Sequence, residues 1–196
     1  MFSKSTKFDN APRSGPKAFV SEYAVWQKDA GDGSLLAALG EAAFLMGLER
    51  NRWTPDAIVF NSYQHYGTPS YWLQHIFTDS SGATFLNSTL QTSSKFVAAS
   101  AIEYTSSADK KNYIRIKVVN FGSDTENFRI SISGLKSNVQ QSGSTKFVLT
   151  SPNVMDENSF SQPNKIVPQQ TSFEEASEDM HVILPPHSFT SFDLLK

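Results

Sequence analysis

Glu22 is the residue whose setting most needs a chemical explanation. It lies in "GPKAFVSEYAVW", Gly15 to Trp26, among Ala18, Phe19, Val20, Tyr23, Ala24 and Val25, a run that reads as buried strand. A carboxylate in such a run is costly unless it is paired, hydrogen-bonded or at a wet strand end. Two readings compete: a catalytic carboxylate, or a strand-end charge. The other acids are less pointed. Asp29 and Asp32 sit in the turn-rich "DAGDG", where Asp is normally a turn former. Glu41 and Glu49 fall on the helix that follows. Asp156, Glu157 and Asp193 lack the arrangement of a calcium loop and read as loop or strand-end charges. His65, His75, His181 and His187 show no metal-ligand spacing, so no metal site and no cofactor is expected. Neither a Gly-x-Ser-x-Gly elbow nor a Walker loop occurs.

The bulk composition narrows the classes. With 196 residues, 39% hydrophobic and 12% aromatic, the chain can build a core of one large or two small domains. A net charge of -2, from 17 basic and 19 acidic residues spread along the chain, argues against a nucleic-acid partner. Cysteine is absent, which removes disulfides, thiolate metal sites and cysteine nucleophiles together. The longest apolar run, "SLLAALGEAAFLMGL", is broken by Glu41 and too short to span a membrane. "MFSKSTKFDN" lacks the apolar middle of a signal peptide. Asn87-Ser88-Thr89 is one sequon, a possible glycosylation acceptor only in a secreted protein.

The elements that must position Glu22 change character near residue 80. "AFVSEYAV" (18–25) is a continuous apolar run of strand length, as in a parallel strand covered on both faces. Ser34 is expected to N-cap a helix from Leu35 to about Glu49, with Leu35, Leu36, Leu39, Ala42, Ala43 and Met46 as its buried stripe. "DAIVF" (56–60) reads as a short extended segment. Thr68-Pro69 then starts a second helix, "SYWLQHIF". After Gly82 the period becomes two. "YIRIKVV" sets Ile114, Ile116 and Val118 against Tyr113, Arg115, Lys117 and Val119. "FRISI" sets Phe128, Ile130 and Ile132 inward, and "FGSDTEN" is expected to join the two as a hairpin. "FVAASAIEY", "TKFVLTS", "HVILPP" and "SFTSFDLL" are further strands, which together predict a β-sandwich. The stretch from Pro152 to Gln170 is expected to be a long loop across it.

The stretches "RSGPKAFVSEYAV", "DAGDGSLLAALGEAAFLMGLERN", "RWTPDAIVFNS", "YGTPSYW", "VVNFGSD", "LTSPNVMDENSFSQPNKIVP" and "LPPHSFTSFDLL" resemble the C-terminal portion of plant α-L-arabinofuranosidases of glycoside hydrolase family 51, over essentially the whole chain. The resemblance implies an α/β plus β fold. The remnant of the end of a (β/α)8 barrel (1–79), with its nucleophile strand, precedes a C-terminal jelly-roll-like antiparallel β-sandwich (80–196). It implies retaining removal of terminal arabinofuranosyl units from cell-wall arabinoxylan and arabinan, outside the cell. Glu22 takes the nucleophile position on the seventh barrel strand. Tyr23 and Trp26 flank it and could stack on a sugar, although strand aromatics are more often core. Trp26 shares the strand face of Glu22 by the period-two rule and is the better candidate.

Two departures from the family pattern matter. The acid/base is a second Glu that follows Asn on the fourth barrel strand, and no Asn-Glu dipeptide occurs here. Relatives also carry a further segment, including the eighth barrel strand, where Asn51 here runs directly into Arg52. The expectation is therefore a truncated, internally shortened relative that is inactive by itself. The competing expectation is a non-catalytic carbohydrate-binding or interaction β-sandwich, against which the sequence offers no obvious row of exposed aromatics. The helix at 35–48, without its barrel neighbours, is expected to leave an apolar face uncovered.

Overall fold

The computed structural model describes Tyr23, Val25, Ala30, Gly31, residues 33–50 and residues 66–196. Glu22, Trp26 and the "DAIVF" segment lie outside the described residues, as does most of the proposed nucleophile strand. Helix α1 spans Leu35–Arg50 and helix α2 spans Pro69–Phe77, followed by a 3-10 turn at Thr78–Ser80. Eight strands follow: β1 (Thr84–Phe85), β2 (Val97–Thr105), β3 (Asn112–Asn120), β4 (Glu126–Ser131), β5 (Thr145–Thr150), β6 (Gln169–Ser172), β7 (Asp179–Leu184) and β8 (Ser188–Leu195).

Both helix starts follow local chemistry. Ser34 Oγ accepts from the Ala37 backbone N–H at 3.1 Å, and Thr68 Oγ1 accepts from that of Tyr71 at 3.2 Å. Each satisfies a donor that the first helical turn would otherwise leave open. Pro69 occupies the first turn of α2, where its missing N–H costs nothing.

The strands form a β-sandwich. Six of them make one antiparallel sheet in the order β1-β2-β3-β8-β5-β6, and β4 with β7 makes the second. Alternation along β3 feeds two separate cores. Ile114, Ile116 and Val118 pack with Phe192, Leu194, Ile130, Met180 and Val182 between the sheets. Val119 on the opposite face packs with Phe189, Ala98 and Leu149 against Leu39, Ala42, Leu45 and Met46 of α1 and Leu73, Ile76 and Phe77 at α2. The large sheet is therefore covered on both faces, which explains why β2 and β8 are buried along nearly their whole length.

Two expectations are corrected here. β3 and β4 are not a hairpin: β3 pairs with β2 and β8, whereas β4 pairs with β7 in the other sheet. Asn120 turns the chain out, its Nδ2 donating to Asp124 O at 2.8 Å and Pro185 O at 2.9 Å while its Oδ1 accepts from Gly122 N at 2.9 Å. Nor is the apolar face of α1 left open. Leu35, Leu39, Ala42, Ala43, Leu45, Met46 and Leu48 are all buried, because the sheet and α2 lie against it.

Candidate functional site

The chain brings three groups of polar side chains to the helix layer, and each follows from a local reason. Two are buried charge clusters, and the third is a loop that fastens the helix starts.

The helix-facing side of the sheet carries a row of charge where the alternation of β3 places Arg115 and Lys117. Lys117 Nζ donates to Glu49 Oε1 of α1 and, at 2.9 Å, to Ser80 Oγ of the 3-10 turn. Ser100 of β2, the cross-strand neighbour of Lys117, donates to Glu49 Oε2 at 2.6 Å. Lys117 also lies 4.2 Å over the Phe77 ring. Lys117 and Glu49 are both withdrawn from water. Burial pulls the Lys117 ammonium down to about 8, against the opposing pull of the Glu49 carboxylate.

One register position along, Arg115 meets Asp193 of β8 through Nε at 2.6 Å and Nη2 at 2.9 Å, a bidentate fork. Its Nη1 donates to Asp79 Oδ2 at 2.9 Å and to Ile76 O at 2.6 Å, the latter at the end of α2. Its Nη2 also donates to the Tyr104 hydroxyl at 2.8 Å. Burial works against the charge, yet these partners hold the guanidinium above its ordinary value. The acids here are committed to structural cations.

The loop that begins at Ser151 fastens the helix starts. Leu35 N donates to Asp156 O at 2.9 Å and Leu36 N to Val154 O at 2.8 Å, so the loop supplies acceptors for the first turn of α1. Ser34 makes a β-bridge with Glu157. Asp156 is itself held by Lys165 at 2.7 Å and by Ser151, and those hydrogen bonds lower its carboxyl below the ordinary value. The buried Asn158 joins three segments. Its Nδ2 donates to Gly67 O at 2.6 Å and Ile166 O at 2.8 Å, and its Oδ1 accepts from Ile166 N at 2.7 Å. One sandwich loop thus ties down the entry to α1 and the residue just before the cap of α2.

Of the residues singled out from sequence, Tyr23 is half-buried and stacks on Phe44 of α1, ring centroids 5.2 Å apart. Burial, then the Glu41 carboxylate, raises its hydroxyl above the ordinary value. Asn87 is exposed just beyond β1. Glu22 and Trp26 lie outside the described residues, so no distance relates them to Tyr23. Glu41, half-covered between the helices, accepts from Gln74 Nε2 at 3.5 Å through Oε1, while its Oε2 is buried without a partner among the described residues. Burial raises its carboxyl, an effect that Ser70 and Gln74 partly offset. Among the described residues no cluster of three or more His, Cys, Asp or Glu could hold a metal.

The sequence of residues 51–188 matches the sequence model of the α-L-arabinofuranosidase C-terminal domain. The chain belongs to this family. α-L-Arabinofuranosidase 1 of Arabidopsis thaliana is 57% identical over 216 positions, covering 100% of this chain and 32% of that protein. α-L-Arabinofuranosidase 2 of the same plant is 56% identical, covering 100% of this chain and 31% of its own length. The chain therefore spans about a third of these curated relatives. Among solved structures, an arabinose-bound MgGH51 α-L-arabinofuranosidase superposes with a TM-score of 0.77 at 23% identity, covering 99% of this chain and 35% of that one. That likeness speaks to the fold, and it matches the family's C-terminal β-sandwich.

Proposed function

We propose that this chain is the nucleophile-bearing C-terminal part of a retaining, exo-acting α-L-arabinofuranosidase that releases terminal arabinofuranosyl units from arabinoxylan and arabinan of the cell wall. The carrying observation is the 57% identity to an arabinofuranosidase along the full chain, which includes "FVSEYA". In this reading residues 1–79 are the end of the barrel and 80–196 the sandwich. Glu22 attacks the anomeric carbon. Tyr23 is turned to α1 by its stack on Phe44.

Retaining hydrolysis needs a second carboxyl about 5–5.5 Å from the first, to protonate the leaving oxygen and then activate water. Five of the described acids are committed to structural cations. Glu49 serves Lys117, Asp79 and Asp193 serve Arg115, Asp156 serves Lys165 and Glu103 serves Lys196. A polypeptide of these 196 residues alone is expected to be inactive, because it has no Asn-Glu dipeptide of the kind that carries the acid/base in the family pattern. The 216 positions aligned to the Arabidopsis relative exceed the 196 residues by 20, which supports an internal shortening.

The test adds the parts of the Arabidopsis relative that this chain does not span. The upstream two thirds and the absent internal positions of the Arabidopsis relative are fused to this chain, and arabinose release from an aryl α-L-arabinofuranoside is followed. The fusion is expected to turn over, and Glu22→Gln to lower kcat by on the order of 10⁴-fold or more. An active fusion indifferent to Glu22→Gln would contradict the assignment.

A further inference from the structure

Phe160 is 72% exposed, the largest exposure among the exposed large hydrophobics of the described residues. A single exposed apolar side chain needs no explanation. Here a second ring joins it: Tyr66 meets Phe160 edge-on, centroids 5.0 Å apart and planes at 86°. The two rings come from segments far apart in sequence, and one buried amide holds both in place. Asn158, two residues before Phe160, donates to the carbonyl of Gly67, the residue after Tyr66. The turn that carries Phe160 is closed by reciprocal bonds, Ser159 N to Gln162 O at 3.2 Å and Gln162 N to Ser159 O at 3.1 Å. The ring is thus presented to water by a fixed turn. Gly67 lets the aromatic surface continue into α2, since a Cβ there would lie 2.7 Å from Tyr71 Cδ1. Tyr71 is itself 40% exposed.

We propose that Phe160 and Tyr66 form an aromatic platform that binds a neutral cell-wall polysaccharide by stacking on its sugar rings. The C–H faces of a sugar suit an aromatic face, and an exposed apolar ring beside uncharged hydroxyl and amide groups suits a ligand with no charge. The turn between Asn158 and Lys165 meets that condition: Ser159, Ser161, Gln162 and Asn164 are polar and uncharged. The choice of an arabinose-containing polymer rests on the function proposed above. The platform itself does not.

Affinity electrophoresis of the full chain in gels containing arabinoxylan, linear arabinan or mixed-linkage β-glucan tests it. Arabinoxylan or arabinan is expected to retard the wild-type chain. Phe160→Ala and Tyr66→Ala are each expected to weaken retardation about tenfold, the scale of one lost ring contact. Ile183→Ala, which removes another exposed apolar side chain on β7, is expected to leave it unchanged. Circular dichroism confirms that each variant keeps its fold. Retardation by β-glucan alone, lost in Phe160→Ala, would support the platform and contradict the arabinose assignment. Absence of retardation in all three gels would overturn the platform, as would equal loss in Ile183→Ala. Conversion of a dimer to a monomer by Phe160→Ala in sedimentation velocity would also overturn it, since the patch would then be a contact between two copies.

Discussion

Lys117 of strand β3 and Glu49 of helix α1 form an ion pair withdrawn from water, at the junction between the helices and the sandwich. Every polar atom of the pair has a partner, through Ser80 and Ser100. Such a pair contributes little net stability against apolar residues of the same shape, but breaking it is costly because one charge is left buried. In this packing of α1 on the sheet both charges are satisfied.

Lys117→Met alone is expected to lower unfolding stability by about 3–5 kcal/mol, since Glu49 would remain buried without its counterion. The double variant with Glu49→Leu should recover most of that loss. Denaturant unfolding of the four proteins of this cycle measures the coupling. Additive losses would show that the two residues act independently.

Glu41 makes a pH prediction. Its folded carboxyl is raised by burial above the ordinary value of 4.5. A raised folded value means that the folded state binds the proton more tightly, so the stabilisation is complete below the unfolded value and is lost as pH rises through the folded one. Glu41→Gln keeps the shape and removes the titration. Stability measured from pH 4 upward should fall more steeply in the wild type than in the variant over that window.

Asn158→Ala should leave the carbonyls of Gly67 and Ile166 and the Ile166 N–H without their buried partner. The expected loss is about 1–3 kcal/mol for each buried group that water cannot reach. Hydrogen exchange at the Leu35 and Leu36 amides, which donate into the same loop, should quicken more than exchange in β3 or β8. Uniform quickening would mean that the loop does not hold α1.

A fragment of residues 80–196 should fold poorly. Without α1 and α2, Phe189, Leu149 and Val119 lose the layer that covers them, and Lys117 loses Glu49. Size-exclusion chromatography is expected to show association, whereas a fragment that also contains both helices stays monodisperse.

Much of this architecture was legible in the sequence because it depends on local chemistry. Ser34 and Thr68-Pro69 announced both helix starts, and the period-two pattern of 113–119 and 128–132 gave two strands and their inward faces. The connection between them misled, because Gly122 and Asp124 suit many turns and only Asn120, bonded to a carbonyl 65 residues away, sends the chain to the other sheet. Arg115 and Lys117 showed which face they shared but not that helices would bury it. Their partners Glu49, Asp79 and Asp193 are far away in sequence, and no periodicity links them. The Phe160–Tyr66 pair was hidden for the same reason: its rings are brought together by Asn158 and not by spacing. Glu22, singled out by its apolar setting in the sequence, lies outside the described residues, and a lone carboxylate supplies only one half of the chemistry proposed for it.

The most direct test of the account is hydrolysis of an aryl α-L-arabinofuranoside by the purified 196-residue chain. The account predicts no release above the buffer rate, with or without Glu22→Gln. Turnover that disappears in Glu22→Gln would show that the chain supplies its own second carboxylate, and would contradict it.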